Sequence, residues 1–122
     1  MQRKRILIVD DSKSMRCYIR FILKSAGYDI TEAVDGYDAI QKLNGTNYNL
    51  FIFDLIMPCI DGISLIKRTR TIEKYRFTPI IVVTTESRQC VKIECRQAGA
   101  TAWIVKPFKS EQLLALTKKI LG

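Results

Sequence analysis

Arg5-Ile6-Leu7-Ile8-Val9-Asp10-Asp11-Ser12 decides the fold of this chain: an apolar run ends in paired carboxylates and opens onto an amphipathic segment. A strand that is apolar at nearly every position is covered on both faces, the habit of parallel sheets flanked by helices. The same plan recurs down the sequence. Leu50-Phe51-Ile52-Phe53 runs into Asp54, Ile80-Ile81-Val82-Val83 into Thr84, and Ala102-Trp103-Ile104-Val105 into Lys106. Each polar residue falls where a buried strand ends. In an open parallel sheet those carboxyl ends form the crevice where ligands bind. Three carboxylates, a hydroxyl and a lysine are therefore expected at one edge, as parts of a single phosphate-handling site.

Amphipathic segments separate the runs. A helix is expected from about Lys13 to Ala26, with Met15, Ile19, Ile22, Leu23 and Ala26 on one face, Ser12 as N-cap and Gly27 as the stop. A strand near Asp29 to Ala33 follows. A second helix starts after Asp35-Gly36, carries Ala39, Ile40 and Leu43, and ends at Asn44-Gly45. A third, with Ile63, Leu65, Ile66 and Ile72, follows the loop Met57-Pro58-Cys59-Ile60-Asp61-Gly62. Pro79 opens the fourth strand, where a missing N–H is tolerated. A fourth helix covers Arg88 to Ala98. A fifth runs from Ser110, read as its N-cap, to Leu121. Five alternations predict an α/β fold: a doubly wound five-stranded parallel sheet with helices on both faces. Residues 1–122 read as one domain without repeat or linker.

Composition narrows the function classes. A hydrophobic fraction of 48% with 26% charged residues fits a globular domain, and no apolar run approaches the roughly 20 residues of a membrane span. The basic start is followed by too few apolar residues for a secretory signal, so a cytoplasmic location is expected, with no membrane insertion. Cys17, Cys59, Cys90 and Cys95 form no Cys-x-x-Cys pair and there is no histidine, so they read as small hydrophobes rather than zinc ligands. Cys59 is the one beside the expected site. The net charge of +8 invites a nucleic-acid reading, but the cations are dispersed. Arg16, Arg20 and Lys24 at i, i+4, i+8 read as one solvated stripe. Acidic protein partners suit this charge better than nucleic acid.

Like charges at about 4 Å repel by roughly 4 kcal/mol at an effective dielectric of about 20. Asp10, Asp11 and Asp54 together thus call for a cation, and an all-oxygen set without histidine favours Mg²⁺. Either of the first two, taken alone, reads equally well as a helix or turn cap. Thr84 and Lys106, taken alone, carry no assignable role.

In these residues the chain resembles the receiver domain of bacterial two-component response regulators, and is most similar to the stand-alone regulators of chemotaxis. The likeness covers essentially the whole chain. It rests on Ile8-Val9-Asp10-Asp11-Ser12, Asp54-Leu55-Ile56-Met57-Pro58 with Asp61-Gly62, Val83-Thr84, and Lys106-Pro107-Phe108. It implies a flavodoxin-like strand order, 2-1-3-4-5. It also implies that Asp54 accepts a phosphoryl group from a phosphohistidine on a partner kinase. Mg²⁺ would be held by Asp11, Asp54 and the backbone carbonyl of Ile56, with Asp10 acting through a metal-bound water. Lys106 would contact the acceptor carboxylate and then a phosphoryl oxygen, and Thr84 would donate to another. The Lys106-Pro107 bond is cis in many relatives. Trp103 holds the position of the aromatic that moves when Thr84 is drawn inward. The output surface would be helix four, strand five and helix five, made basic by Arg88, Lys92, Arg96, Lys109, Lys118 and Lys119. The implied protein is a signalling switch and not an enzyme acting on small molecules. Its target would be a flagellar motor component or another signalling protein, and its state a monomer or weak dimer.

Departures from the family pattern carry expectations too. Ile56 stands two residues after the acceptor, where the nearest relatives have a polar group, so loss of phosphate should be slower. Leu55 replaces an aromatic. An aspartate-based Mg²⁺ phosphatase would place a second Asp where Ile56 stands. A receiver cut from a longer DNA-binding regulator is the other rival; the end at Leu121-Gly122, where helix five should finish, favours a stand-alone protein.

Overall fold

The computed structural model describes residues 3–57 and 60–122, so the reading of Cys59 lies outside the described residues. Five strands, β1 (Arg5–Val9), β2 (Asp29–Ala33), β3 (Leu50–Phe53), β4 (Ile80–Thr84) and β5 (Ala102–Val105), form one sheet. Every pairing is parallel and the order is β2-β1-β3-β4-β5, as the resemblance implied. The helices are α1 (Lys13–Ser25), α2 (Gly36–Lys42), α3 (Gly62–Thr71), α4 (Gln89–Ala98) and α5 (Ser110–Leu121).

Strand side chains alternate between faces, so each apolar run supplies two cores. Leu7, Val9, Phe51, Phe53, Ile80 and Val82 face one layer, closed by Ala39 of α2, Leu65 and Ile66 of α3, and Cys95 of α4. Ile6, Ile8, Leu50, Ile52, Ile81 and Val83 face the other, closed by Ile19, Ile22 and Leu23 of α1 and Leu113 of α5. Full burial of such a side chain is worth about 1.5–3 kcal/mol, and from Ile6, Leu50 and Ile80 onward the three central strands carry no polar residue until their carboxyl ends. Among the described residues no helix is long and apolar enough to cross a membrane.

Local chemistry sets the element ends. Asp35 accepts from the Asp38 N–H and Asp61 from the Ser64 N–H, capping α2 and α3. Helix α2 thus begins at Gly36, not after it. Ser12 caps α1 as expected. Ser110 does not cap α5: Lys109 holds the cap position, and the Ser110 hydroxyl lies 2.7 Å from a Glu111 carboxylate oxygen inside the first turn. A 3-10 turn at Glu73–Tyr75, unexpected from the sequence, follows α3.

At the amino edge, polar side chains staple loops to strands. Arg5 N–H donates to Asn49 Oδ1 (2.9 Å) and Ile80 N–H to Thr101 Oγ1 (3.0 Å). The Tyr75 hydroxyl bridges the Gly45 N–H and the Thr46 carbonyl. Arg70 donates to the carbonyls of Tyr75, Thr78 and Gly99 at 2.6–3.2 Å.

Candidate functional site

The register Val9↔Phe53 brings the ends of β1 and β3 side by side, and Asp10 and Asp54 follow them directly. One carboxylate oxygen from each of Asp10, Asp11 and Asp54 lies within 4.8 Å of the others. Asp10 and Asp54 are buried, at 2% and 6% exposure, while Asp11 faces solvent. The Asp10 carboxylate is engaged on both sides: Oδ1 accepts from the Ser12 N–H (2.9 Å) and Oδ2 from Lys106 Nζ (2.8 Å). Asp54 Oδ1 accepts from the Leu55 N–H at 2.7 Å, and Oδ2 lies 3.3 Å from Lys106 Nζ. Lys106 therefore sits closer to Asp10 than to the expected acceptor. Its peptide bond to Pro107 is cis.

Burial is the main force lifting the Asp54 carboxyl above the ordinary carboxylate value. Lys106 opposes that lift and the Asp10 charge adds to it. Burial alone would depress the Lys106 ammonium, but its bonds to Asp10 and Asp54 prevail and hold it above the usual lysine value. The cluster is thus three acids served by one cation. A hard divalent ion fits this donor set: all ligand atoms are oxygens, and an added positive charge relieves the repulsion that Lys106 leaves.

Thr84 is fully buried at the end of β4. Its hydroxyl oxygen accepts from the Glu86 N–H at 3.3 Å, so it is tied to the loop after β4. Trp103 pairs with Val82 in the β4–β5 ladder, which puts Trp103 and Thr84 on the same face of the sheet, toward α4. The indole packs against that core, its buried N–H has no hydrogen-bond partner, and Lys92 Nζ lies 5.8 Å from the ring centroid. Ile56 is 62% exposed at the mouth of the site.

Two residues escaped the sequence reading. Arg16 is not part of a solvated stripe: its side chain is 11% exposed, pairs with Glu32 of β2 at 3.4 Å, and donates to the Asp10 carbonyl at 2.7 Å. The signal was an acid within a strand that packs under the helix carrying the arginine. Gly62 admits no side chain, because a Cβ there would lie 2.3 Å from the Asp54 carbonyl oxygen. The first turn of α3 rests on the backbone of Asp54 and Leu55, with Gly62 N–H donating to the Leu55 carbonyl at 2.9 Å.

The face of α4, β5 and α5 is less uniformly basic than expected. Arg88 is paired with Glu86 at 2.6 Å, and its hydrogen bonds hold the Glu86 carboxyl down to about 2. Among the cysteines, Cys95 behaves as a small hydrophobe, its thiol pushed up to about 11 chiefly by burial. Cys90 is exposed and Cys17 half-buried, so of the three described cysteines only Cys95 lies in the core.

Residues 6–118 match the family model for the response regulator receiver domain. The chain is 37% identical over 117 residues to the chemotaxis protein CheY of Pseudomonas aeruginosa, covering 95% of this chain and 94% of that one. It superposes on chemotaxis protein CheY4 of Vibrio cholerae with a TM-score of 0.94 at 38% identity, covering 98% and 100% of the two chains. It also superposes on the receiver domain of a sensor histidine kinase from Pseudomonas aeruginosa, with a TM-score of 0.90 at 30% identity and 99% coverage of each. That neighbour has a magnesium ion coordinated in its active-site cleft.

Proposed function

The chain belongs to the response regulator receiver family, and from that premise we propose that it is a phosphorylation-dependent switch whose acceptor is Asp54. One observation carries the reading: the gathering of Asp10, Asp11 and Asp54, one carboxylate oxygen of each within 4.8 Å of the others, with Lys106 bonded to Asp10 and Asp54. Asp11, Asp54 and the Ile56 carbonyl would hold Mg²⁺, with Asp10 acting through a metal-bound water. When bound, the ion neutralises charge on the transferring group.

An Asp54 carboxylate oxygen attacks phosphorus as the bond to the donor imidazole nitrogen of a kinase phosphohistidine breaks. Lys106, already between the two buried carboxylates, turns a proton of its ammonium toward a phosphoryl oxygen. As a point charge on a flexible stem it needs no fixed angle. Thr84 donates its hydroxyl proton to another oxygen. That movement strains its bond to the Glu86 N–H and so reaches the loop that leads into α4. Trp103, on the same face, shifts into the space Thr84 leaves, and the α4–β5–α5 surface changes for a downstream protein target. The whole chain acts as one receiver unit in the cytoplasm, on a flagellar motor component or another signalling protein.

The test is Trp103 fluorescence with Mg²⁺ and a beryllofluoride phosphate mimic, followed by pull-down with and without the mimic. The emission should change in wild type and stay fixed in Asp54→Ala. An unchanged wild-type spectrum removes Trp103 from the switch.

A further inference from the structure

Charge is divided between the two ends of this molecule. The carboxyl edge of the sheet holds Asp10, Asp11 and Asp54, with the capping Asp35 and Asp61 beside them. The amino edge is the reverse: Arg3, Arg5, Lys74 and Arg76 are exposed there. Asp29 and Glu73 are the acids beside them, and Asp29 already lies 3.9 Å from Arg3. Lysines in the last turn of a helix complement its dipole. That accounts for Lys118 and Lys119 in α5, but not for these four, which lie outside the last turn of any α-helix.

The loop 45–49 links the two pairs of cations. Arg3 and Arg5 line a shallow polar recess with Thr46, Asn47 and Asn49. The Tyr75 hydroxyl bonds that same loop at Gly45 and Thr46, which sets the segment 73–78 beside it. From this segment Phe77 projects at 87% exposure, the highest of the exposed large hydrophobics, with Arg76 6.0 Å from its ring centroid. A scattered exposed apolar residue needs no explanation. An aromatic this exposed, with Arg76 beside its ring and the exposed Lys74 in the same segment, is a different arrangement. It matches a surface that offers diffuse negative charge and an apolar layer beneath it.

We infer that the amino edge of the sheet is a peripheral docking surface for an anionic lipid bilayer, with Arg3, Arg5, Lys74 and Arg76 facing the headgroups and Phe77 entering the interface. An acidic peptide suits the edge less well. Such a peptide would meet Arg3 and Arg5 in the recess, which also holds Asp29, Thr46, Asn47, Tyr48 and Asn49, but it would offer the exposed Phe77 no apolar layer to enter. Bound this way, the protein would present Asp54 away from the membrane, open to its donor. The inference stands on the amino edge alone and does not depend on the phosphorylation reading.

The full chain is mixed at low salt with vesicles of phosphatidylcholine alone, or of phosphatidylcholine with phosphatidylglycerol, and sedimented. Each cation near an anionic surface adds roughly five-fold to partitioning, so the wild type should pellet only with the anionic vesicles and be released by added salt. Lys74→Glu with Arg76→Glu should weaken binding by at least about 25-fold. Phe77→Ala should weaken it by roughly ten-fold or less, since the ring is only partly withdrawn from water. Circular dichroism and the urea midpoint confirm that both variants fold. Wild type that stays in the supernatant at low salt overturns the inference, as does a charge-reversed variant that pellets like wild type. Binding to polyglutamate without binding to anionic vesicles assigns the edge to an acidic protein and overturns it equally.

Discussion

At the amino edge of the sheet, Asn49, Thr101, Tyr75 and Arg70 give their polar atoms to backbone groups of strand ends and neighbouring loops. At the carboxyl edge, Asp10, Asp54 and Lys106 turn theirs on one another. Both edges close the same strands, yet one spends its polar capacity on holding loops and the other keeps it for something to be bound. Arg70 is half-buried without a carboxylate bonded to it and is satisfied by three carbonyls. Asp54 is buried among like charges with one shared lysine, and its carboxyl is lifted for that reason. A functional site in this fold is recognisable as the place where buried charge is left under-compensated.

The contrast breaks first at Arg70. Arg70→Ala strips donors from the Tyr75, Thr78 and Gly99 carbonyls, and should cost about 3 kcal/mol by urea unfolding while leaving phosphorylation of the folded protein unchanged. The opposite edge should respond to an ion instead. Mg²⁺ at one hundred times its dissociation constant should stabilise wild type by about 2.7 kcal/mol, and Asp11→Ala should erase most of that gain.

A smaller effect sharpens the contrast by its sign. Because the folded Asp54 carboxyl titrates above its unfolded value, the metal-free native state binds more protons in the window between the two. Its stability therefore falls as pH rises through that window. Asp54→Asn should remove this slope and raise the metal-free urea midpoint above it; an unchanged or lower midpoint would show that Lys106 already compensates the charge. The smallest effect belongs to the exposed Ile56. Ile56→Asn lets a polar group position water at the mouth of the site. It should shorten the phosphoryl lifetime by roughly five-fold, about 1 kcal/mol of barrier, in a decay assay followed by mass.

The residues at the ends of β1, β3 and β4 could be read from the sequence because a strand buried on both faces writes itself as an apolar run, and the run's end is its carboxyl edge. The strand order could not: nothing local tells β1 to lie between β2 and β3, and only the family likeness supplied it. Arg16 was misread because i, i+4 spacing describes a helix in isolation, whereas Glu32 reaches it from a strand beneath. Ser110 was misread because the residue before it, a lysine with extended backbone, occupies the cap without any side-chain bond. Gly62 was quoted only as part of a motif. Its reason, a backbone approach too close for any Cβ, exists solely in three dimensions.

The most direct test uses acetyl phosphate as donor and intact mass as readout. Wild type should gain one phosphoryl group when Mg²⁺ is present and none when it is chelated, and Asp54→Ala should gain none in either condition. A phosphorylated Asp54→Ala, or wild type labelled equally well without the ion, would contradict the assignment of Asp54 and its neighbouring carboxylates as a metal-assisted acceptor.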